Sequence, residues 1–173
     1  MKSEEVKIVI AKDLDFTRVR YYTLRFETEK KTELDKFYEN YQKEYSESIY
    51  YIKMWVAEIG EKFGAQTRFF RPEDNAYALP PPTKELRCVD IEVGSENMNL
   101  RLYCIVLSPE IVILVNGGIK ESNATSGSPT CWEQYLLASN IASQINNMVK
   151  QGNLLIKGKL LKRKKSFILT YNR

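Results

Sequence analysis

The sequence predicts an α+β domain with a mainly antiparallel central sheet of five to seven strands and two main helices packed on it. Residues 101–107 and 111–115 are two apolar runs around a Ser-Pro-Glu turn, the pattern of a β-hairpin. Residues 34–59 and 129–149 repeat apolar side chains at steps of three and four, the pattern of amphipathic helices. Neighbouring predicted strands are close in sequence, which favours antiparallel pairing.

The N-terminal part is predicted to contain two strands and a long helical stretch. Residues 6–10 are apolar, and residues 22–27 alternate between apolar and polar side chains, as in a half-buried strand. Thr32 begins a sequence with the spacing of a capping box, which predicts a helix start. The apolar stripe that follows ends near Ile59, so we expect one long helix or two helices with a bend near residues 46–48.

The middle of the chain is predicted to hold a loop and then the centre of the sheet. Residues 64–86 lack periodicity and contain three consecutive prolines, so an ordered loop is expected. Residues 89–93 alternate like a strand with one solvated face. We therefore expect three adjacent antiparallel strands within residues 87–116. Cys104 and Ile113 should be almost fully buried, because apolar side chains occur on both faces of the hairpin strands.

The C-terminal part is predicted to be a helix followed by two short strands. Ser128 is expected as N-cap, with Pro129 at the first helical position, and Gly152 is a natural stop. Residues 154–156 and 167–169 then predict a terminal hairpin or a pair of edge strands around a turn at Lys162, Arg163, Lys164 and Lys165.

The chain has 173 residues, an ordinary length for one domain. We expect a single domain over residues 1–173, with a core at 20–120 and a C-terminal helix and basic hairpin at 121–173. No apolar run has the length of a membrane span, so no membrane partner is expected. The charged N-terminus does not resemble a secretory signal, which predicts a cytoplasmic location with the three cysteines as thiols.

The chain contains no histidine. This excludes His-dependent nucleophile triads, His-ligated zinc and imidazole acid–base catalysis. Neither the glycine-rich dinucleotide motif nor the P-loop motif occurs. No metal site and no cofactor are therefore predicted, and any catalysis has to rely on Arg, Lys, Tyr, Asp, Glu or Ser.

The segment from Asn99 to Lys120 resembles the core of RelE/HigB-like toxins of type II toxin–antitoxin systems. That family typically has an Arg-x-aromatic strand, a short turn, a strand rich in Ile, Val and Leu, and then lysines. Arg101, Tyr103, the apolar residues 111–115 and Lys120 stand at the matching positions. Residues 20–120 also have a similar layout of strand, helical arm and consecutive antiparallel strands. The resemblance implies a RelE/HigB-like fold.

The resemblance further implies a toxin-like RNA-binding protein, with metal-independent cleavage of messenger RNA left open. Arg101 and Lys120 would hold the scissile phosphate, where cations stabilise developing charge, and Tyr103 would orient the substrate. Three further cations would follow the RNA backbone: Arg68, Arg71 and Lys84. The implied partners are RNA or the ribosome and an antitoxin-type protein. The chain departs from the family pattern at Glu121, where a second basic residue is common, and in its C-terminal extension.

The same residues also have structural interpretations. Arg101 could reach solvent at a strand end or pair with Asp90 or Glu92. Lys120 could follow a plain β-turn at two glycines. The alternative function is a non-catalytic protein-interaction module of the same fold. Such a module should expose an apolar patch, whereas an RNA enzyme needs its cations on one concave face.

The charge of the chain is concentrated at its C-terminal end. From Lys157 to Arg173 the sequence has seven basic residues and no acidic one. Four of these cations are consecutive, Lys162-Arg163-Lys164-Lys165, and predict either a phosphate-contacting patch or the solvated tip of a hairpin.

Overall fold

The computed structural model describes residues 1–82, 98–164 and 168–173. Its helices are α1 (Glu33–Tyr41), α2 (Ser46–Glu58) and α3 (Pro129–Lys150), with a π-helical turn at Ile59–Phe63 and 3-10 turns at Thr67–Phe69 and Thr125–Gly127. Its strands are β1 (Ser3–Asp15), β2 (Arg20–Phe26), β3 (Arg71–Glu73), β4 (Ala76–Leu79), β5 (Leu100–Ser108), β6 (Ile111–Ile119), β7 (Leu154–Lys157), β8 (Leu160–Arg163) and β9 (Leu169–Asn172). The predicted α+β class is confirmed.

The main sheet has seven strands in the order β3-β4-β5-β6-β2-β1-β9. All neighbouring pairs are antiparallel except β2 and β6, which run parallel. The prediction of a mainly antiparallel sheet therefore missed its mixed character. Because the chain leaves β2 through two helices and three strands before it returns beside β2, it can re-enter the sheet in the same direction.

The apolar hairpin lies at the centre of this sheet, as predicted. β5 and β6 pair antiparallel, and Cys104 and Ile113 are both fully buried. The third neighbour is β4, which lies in the region predicted as loop, because a strand of four residues is too short to show periodicity. The predicted strand at residues 89–93 lies outside the described residues.

The two faces of the sheet carry separate apolar cores. One core joins α1 and α2 to alternate residues of the central strands, and the other joins α3 to the residues between them. The capping box at Thr32 is present, and the helical stretch is divided into two helices just before the predicted bend. In the described part of the chain, no helix combines the length and apolar character needed to cross a bilayer.

The C-terminal strands pair differently from the prediction. β7 pairs with β8 around Gly158, whose positive φ of 56° suits a tight turn, and β9 pairs with β1 at the edge of the main sheet. The terminal hairpin of residues 154–156 with 167–169 is therefore wrong, whereas β9 does form an edge strand, in line with the alternative prediction. Lys162 and Arg163 lie in β8 and not in a turn, whereas Lys165 is outside the described residues.

Candidate phosphate-binding site

Arg101 lies near the start of β5, opposite Gly118 of β6. Side chains alternate along a strand, so Arg101 and Tyr103 face the same side of the sheet, the side that α3 covers. Arg101 is only 8% exposed. The structural interpretation expected Arg101 to reach solvent, and it does not. Its alternative partners, Asp90 and Glu92, lie outside the described residues.

The Arg101 guanidinium has a buried charge with few partners. Its Nη1 donates to the carbonyl oxygens of Met98 (2.7 Å) and Leu100 (3.2 Å). Its Nε is buried without a hydrogen-bond partner, and no described carboxylate forms an ion pair with it. Burial lowers the pKa of Arg101, and the nearby Arg71 cation lowers it further. Arginine nevertheless stays protonated in proteins.

Arg71 brings a second guanidinium to the same place. It pairs with Ala78 of β4, and Ala78 pairs with Tyr103 of β5, so Arg71 and Tyr103 occupy one row across the strands. The Arg71 Nε is also buried without a partner. Burial lowers the pKa of Arg71, while the negative charge of Glu73 opposes this effect. The Arg71 and Arg101 guanidinium groups are therefore close enough to act electrostatically on one another.

Tyr103 forms the buried base of this cluster. Its side chain is fully buried, and its hydroxyl makes no hydrogen bond of good geometry in the described structure. The Cys131 thiol and Thr125 lie close enough to influence it, and burial raises the pKa of both Tyr103 and Cys131. Both groups are thus protonated at neutral pH. Tyr103 therefore lies in the interior, close enough to Arg71 and Arg101 to act electrostatically on both.

Lys120 completes the site from the end of β6. Its backbone N–H donates to the Asn99 carbonyl oxygen (2.8 Å), which holds it beside the start of β5. An open pocket of about 380 Å³ lies here and is lined by Asn99, Arg101, Lys120, Glu121, Ser122 and Asn123. The two cations that the resemblance singled out therefore share one pocket. Glu121 lines it as well and reduces its positive charge.

The residues before α3 form a strap beside the pocket. The Ser128 Oγ accepts hydrogen bonds from the backbone N–H groups of Glu121 (2.8 Å) and Ser122 (3.1 Å). The Thr125 hydroxyl donates to Glu73 at 3.1 Å. As predicted, Ser128 is the N-cap of α3 and Pro129 is its first residue. The Ser128 hydroxyl makes no capping hydrogen bond, because it accepts from the strap instead.

Two glycines allow the elements to meet around the site. A Cβ at Gly117 would lie 1.8 Å from the Arg101 carbonyl oxygen, and one at Gly118 would lie 2.6 Å from the Thr130 carbonyl carbon at the start of α3. Gly117 and Gly118 belong to β6 and not to the β-turn of the structural interpretation. They let the backbones of β5 and α3 lie directly against β6, so the space beside them is filled by protein and not open to a phosphate.

The remaining predicted cations lie apart from the pocket or outside the described residues. The Arg68 guanidinium lies 4.4 Å from the Phe69 ring centroid, and Phe69 belongs to the core of α1 and α2, on the opposite face from α3. The β7–β8 hairpin follows the C-terminal end of α3, whereas the pocket adjoins its N-terminal end. The 22 residues of α3 span about 33 Å, so three hairpin cations are distant from the pocket: Lys162, Arg163 and Lys164. Lys84 and Lys165 lie outside the described residues.

Several members of the site have no local signal in the sequence. Glu73, Thr125 and Cys131 come from three separate elements, and only the folded sheet brings them near Tyr103. Among residues 1–82, 98–164 and 168–173, no group of three Cys, Asp or Glu side chains is arranged to hold a metal ion. The pocket combines the Arg101 guanidinium with the Lys120 ammonium group, and the Arg71 guanidinium lies near Arg101, an arrangement suited to binding an oxyanion.

Comparison of the chain with protein-family models, with curated proteins and with solved structures found no match.

Proposed function

We propose that the chain is a toxin-like RNA-binding protein in which Arg71, Arg101 and Lys120 hold a backbone phosphate. The observation that carries the proposal is the buried guanidinium of Arg101 beside the half-buried Arg71. The Nε of each is buried without a partner, and no described carboxylate forms an ion pair with either. A buried charge without a counter-charge costs several kcal/mol. A phosphate supplies both the negative charge and the acceptor oxygens, so its binding offsets this cost.

Two further features favour an RNA backbone as the source of the phosphate. The pocket at Arg101 and Lys120 is open, which suits a chain that enters and leaves on either side. The order of β2, α1, α2 and then β3 to β6 agrees with the strand, helical arm and antiparallel strands of RelE/HigB-like toxins, with which the segment 99–120 shares its pattern. RNA or the ribosome is then the partner.

The same cations could support cleavage without a metal ion. Attack of a ribose 2′-hydroxyl on the adjacent phosphorus forms a 2′,3′-cyclic phosphate and breaks the bond to the 5′-oxygen, which leaves as a hydroxyl with a proton from solvent. Negative charge develops on the equatorial oxygens between bond formation and bond breaking. Cations beside those oxygens lower the barrier, and loss of one typically costs about a hundredfold in rate. Among the described residues that line the pocket, Glu121 has the one carboxylate, and this group can act as the general base that takes the 2′-proton.

Binding is tested with a labelled single-stranded RNA titrated at several salt concentrations. We expect Arg101→Ala and Lys120→Ala each to weaken binding at least about tenfold, because each removes a phosphate contact. Lys43→Ala is the matched control, since it removes an exposed lysine of the α1–α2 connection outside the pocket. Unchanged affinity in both pocket variants, with a folded protein, would refute the proposed site.

Cleavage is tested separately, by expression in bacterial cells and by incubation with messenger RNA in the presence and absence of ribosomes. The wild-type chain should slow growth and produce fragments with 2′,3′-cyclic phosphate ends, and Arg101→Ala should abolish both effects. A harmless protein that binds RNA but leaves it intact would establish binding without endoribonuclease activity.

A second candidate, a protein-interaction module with an antitoxin-type partner, is favoured by one surface. An apolar groove of about 500 Å³ lies between β1 and the two helices α1 and α2, and is lined among others by Leu14, Phe16 and Tyr38. Ile10 stands at its edge and is 60% exposed. If RNA does not bind, a stable complex that Ile10→Asp disrupts would favour this function.

A further inference from the structure

A second pocket opens where two parallel strands separate. β2 and β6 pair from Arg20 and Ile111 to Thr23 and Leu114, and beyond that point no further pair is formed between them. Helices α1 and α3 line the resulting space of about 340 Å³ from opposite sides. In sheets with parallel strands, ligands commonly bind in the crevice beyond the carboxyl ends of the strands. The position of this pocket therefore suits a small ligand.

The floor of the pocket is polar and firmly held. Glu33 and Asn116 are 3% and 4% exposed, and the Asn116 Nδ2 donates to the Glu33 Oε2 at 2.9 Å. The Lys36 ammonium donates to the Glu33 Oε1 at 2.6 Å, and the Asn116 Oδ1 accepts from the Gly117 N–H at 2.7 Å. Buried polar groups are costly unless they are hydrogen-bonded, and this network fixes their directions.

One residue of the pocket has an unused hydrogen-bonding group. The Gln134 Oε1 is buried and has no hydrogen-bond partner in the described structure. Gln134 is on α3, and Tyr41 of α1 contributes an aromatic ring to the same pocket. Carboxamide groups pair with the edges of nucleobases, and unstacked RNA bases are commonly held against aromatic rings.

The charges around the pocket distinguish it from the phosphate site. The lining has two carboxylates, Glu33 and Glu133, and two cations, Lys36 and Arg173. Both cations are already ion-paired, Lys36 with Glu29 and Glu33, and Arg173 with Glu4 and Glu29, so neither is free for a phosphate. The pocket at the phosphate site is instead lined by two cations, Arg101 and Lys120, against the single described carboxylate, that of Glu121, with Arg71 near Arg101. A neutral polar lining selects by hydrogen bonding and shape, which suits a neutral base better than a phosphate.

The two pockets adjoin one another along β6. Gly117 lines the polar pocket and Lys120 lines the phosphate site, a separation of three residues or about 10 Å along a strand. Thr130 of α3 lies between them, and its Oγ1 accepts a hydrogen bond from the Ile119 N–H at 3.1 Å. A short RNA segment can therefore reach both places.

We propose that the pocket between α1 and α3 binds one unstacked base of the RNA whose phosphate occupies the Arg101 site, and that Gln134 discriminates among the four bases. This inference rests on the proposed function. It adds recognition of base identity, which the phosphate site cannot provide because phosphate contacts carry no sequence information.

The test compares the binding of oligoadenylate, oligocytidylate, oligoguanylate and oligouridylate of equal length to three proteins. The wild-type chain should prefer one base by about tenfold. Gln134→Ala should reduce this preference to about twofold without altering the salt dependence, because no charge is removed. Arg101→Ala should weaken all four complexes while the order of preference is retained. Alanine is a good helix former and Gln134 is partly exposed, so the variant should fold, as circular dichroism will verify.

The outcomes separate the two proposals. If RNA binding depends on Arg101 but the wild-type chain does not distinguish the bases, or Gln134→Ala keeps the full preference, the base-binding pocket is refuted and the phosphate site stands. If none of the four oligonucleotides binds to the wild-type chain, the proposed function is refuted and the base-binding pocket with it.

Discussion

At the scale of single residues, the buried charge of Arg101 lowers stability but serves the proposed phosphate binding. A strand residue that is 8% exposed would ordinarily be apolar, yet Arg101 holds a charge there with two backbone carbonyl oxygens as its hydrogen-bond partners. Replacing buried charges with apolar side chains of similar volume is often stabilising. A buried charge that lowers stability is frequently functional, because binding sites often contain groups that activity requires at the expense of local stability.

We therefore expect Arg101→Met to raise the free energy of unfolding by about 1–2 kcal/mol while it weakens RNA binding at least about tenfold. The methionine fills the space of the aliphatic stem, and the lost hydrogen bonds to Met98 and Leu100 cost about 1 kcal/mol each, which limits the gain. Urea unfolding and RNA titration measure the two effects. A loss of stability greater than about 2 kcal/mol would indicate that Arg101 is chiefly structural.

At the scale of elements, the end of β6 is where three elements meet. Gly117 lies against the β5 backbone and the Phe37 ring of α1, and Gly118 lies against the first turn of α3. The distances are too short for any side chain, and the contacts at Gly118 include main-chain atoms that cannot rotate away. The glycines thus determine how closely α3 approaches β5, and hence the position of Cys131 beside Tyr103 and Arg101.

Gly118→Ala should consequently destabilise the protein by about 1–3 kcal/mol, because the methyl group forces α3 away from β6. Thermal unfolding monitored by circular dichroism measures this effect. Asn146→Ala, on the exposed surface of α3, is the control and should change stability by less than about 0.5 kcal/mol. Equal effects of the two substitutions would contradict the packing argument.

The β7–β8 hairpin is a separate element with its own charge. Its cations are distant from the Arg101 pocket, so they would contact a different part of a bound RNA. We expect replacement of Lys162, Arg163, Lys164 and Lys165 by Gln to weaken RNA binding. Each lost phosphate contact should lower the slope of log affinity against log salt by about 0.7. If affinity and slope stay at their wild-type values, the hairpin is a solvated element without a role in binding.

At the scale of the whole molecule, one sheet is covered on both faces and buries several titratable groups. Burial raises the pKa of Cys104 and Cys131, and of Tyr21 and Tyr103. A raised pKa in the folded state gives stability that is present below the unfolded pKa and is lost as the pH rises towards the folded value. The relevant unfolded values are about 8.5 for a thiol and about 10 for a phenol.

The free energy of unfolding should therefore be level below about pH 8 and fall above about pH 9, by about 1.4 kcal/mol per pH unit for each group that stays protonated in the fold. Urea unfolding at pH 7 to 10.5 measures the fall. Cys104→Ala removes one such group. Between pH 9 and 10 the free energy of unfolding of this variant should therefore fall less steeply than that of the wild-type protein, even if the two differ at pH 7. Parallel curves would exclude Cys104 as a contributor.

The sequence by itself determined the features that repeat along the chain. Apolar runs around a Pro-containing turn predicted the central hairpin, and a capping box predicted the start of α1. Period and local turn chemistry are properties of neighbouring residues, so they can be read before the fold is known. The resemblance to the RelE/HigB-like pattern named Arg101 and Lys120, and the hairpin explains why they share a pocket, since its two ends lie side by side.

The tertiary structure alone decided what depends on distant parts of the chain. The parallel pairing of β2 with β6, and the choice of β8 as the partner of β7, depend on which strands need a neighbour after the helices have packed. The nearness of Arg71 to Arg101 and the location of Gln134 in a pocket also depend on packing across elements. Local sequence carries no record of such contacts, because burial and electrostatic neighbours are properties of the assembled sheet and helices.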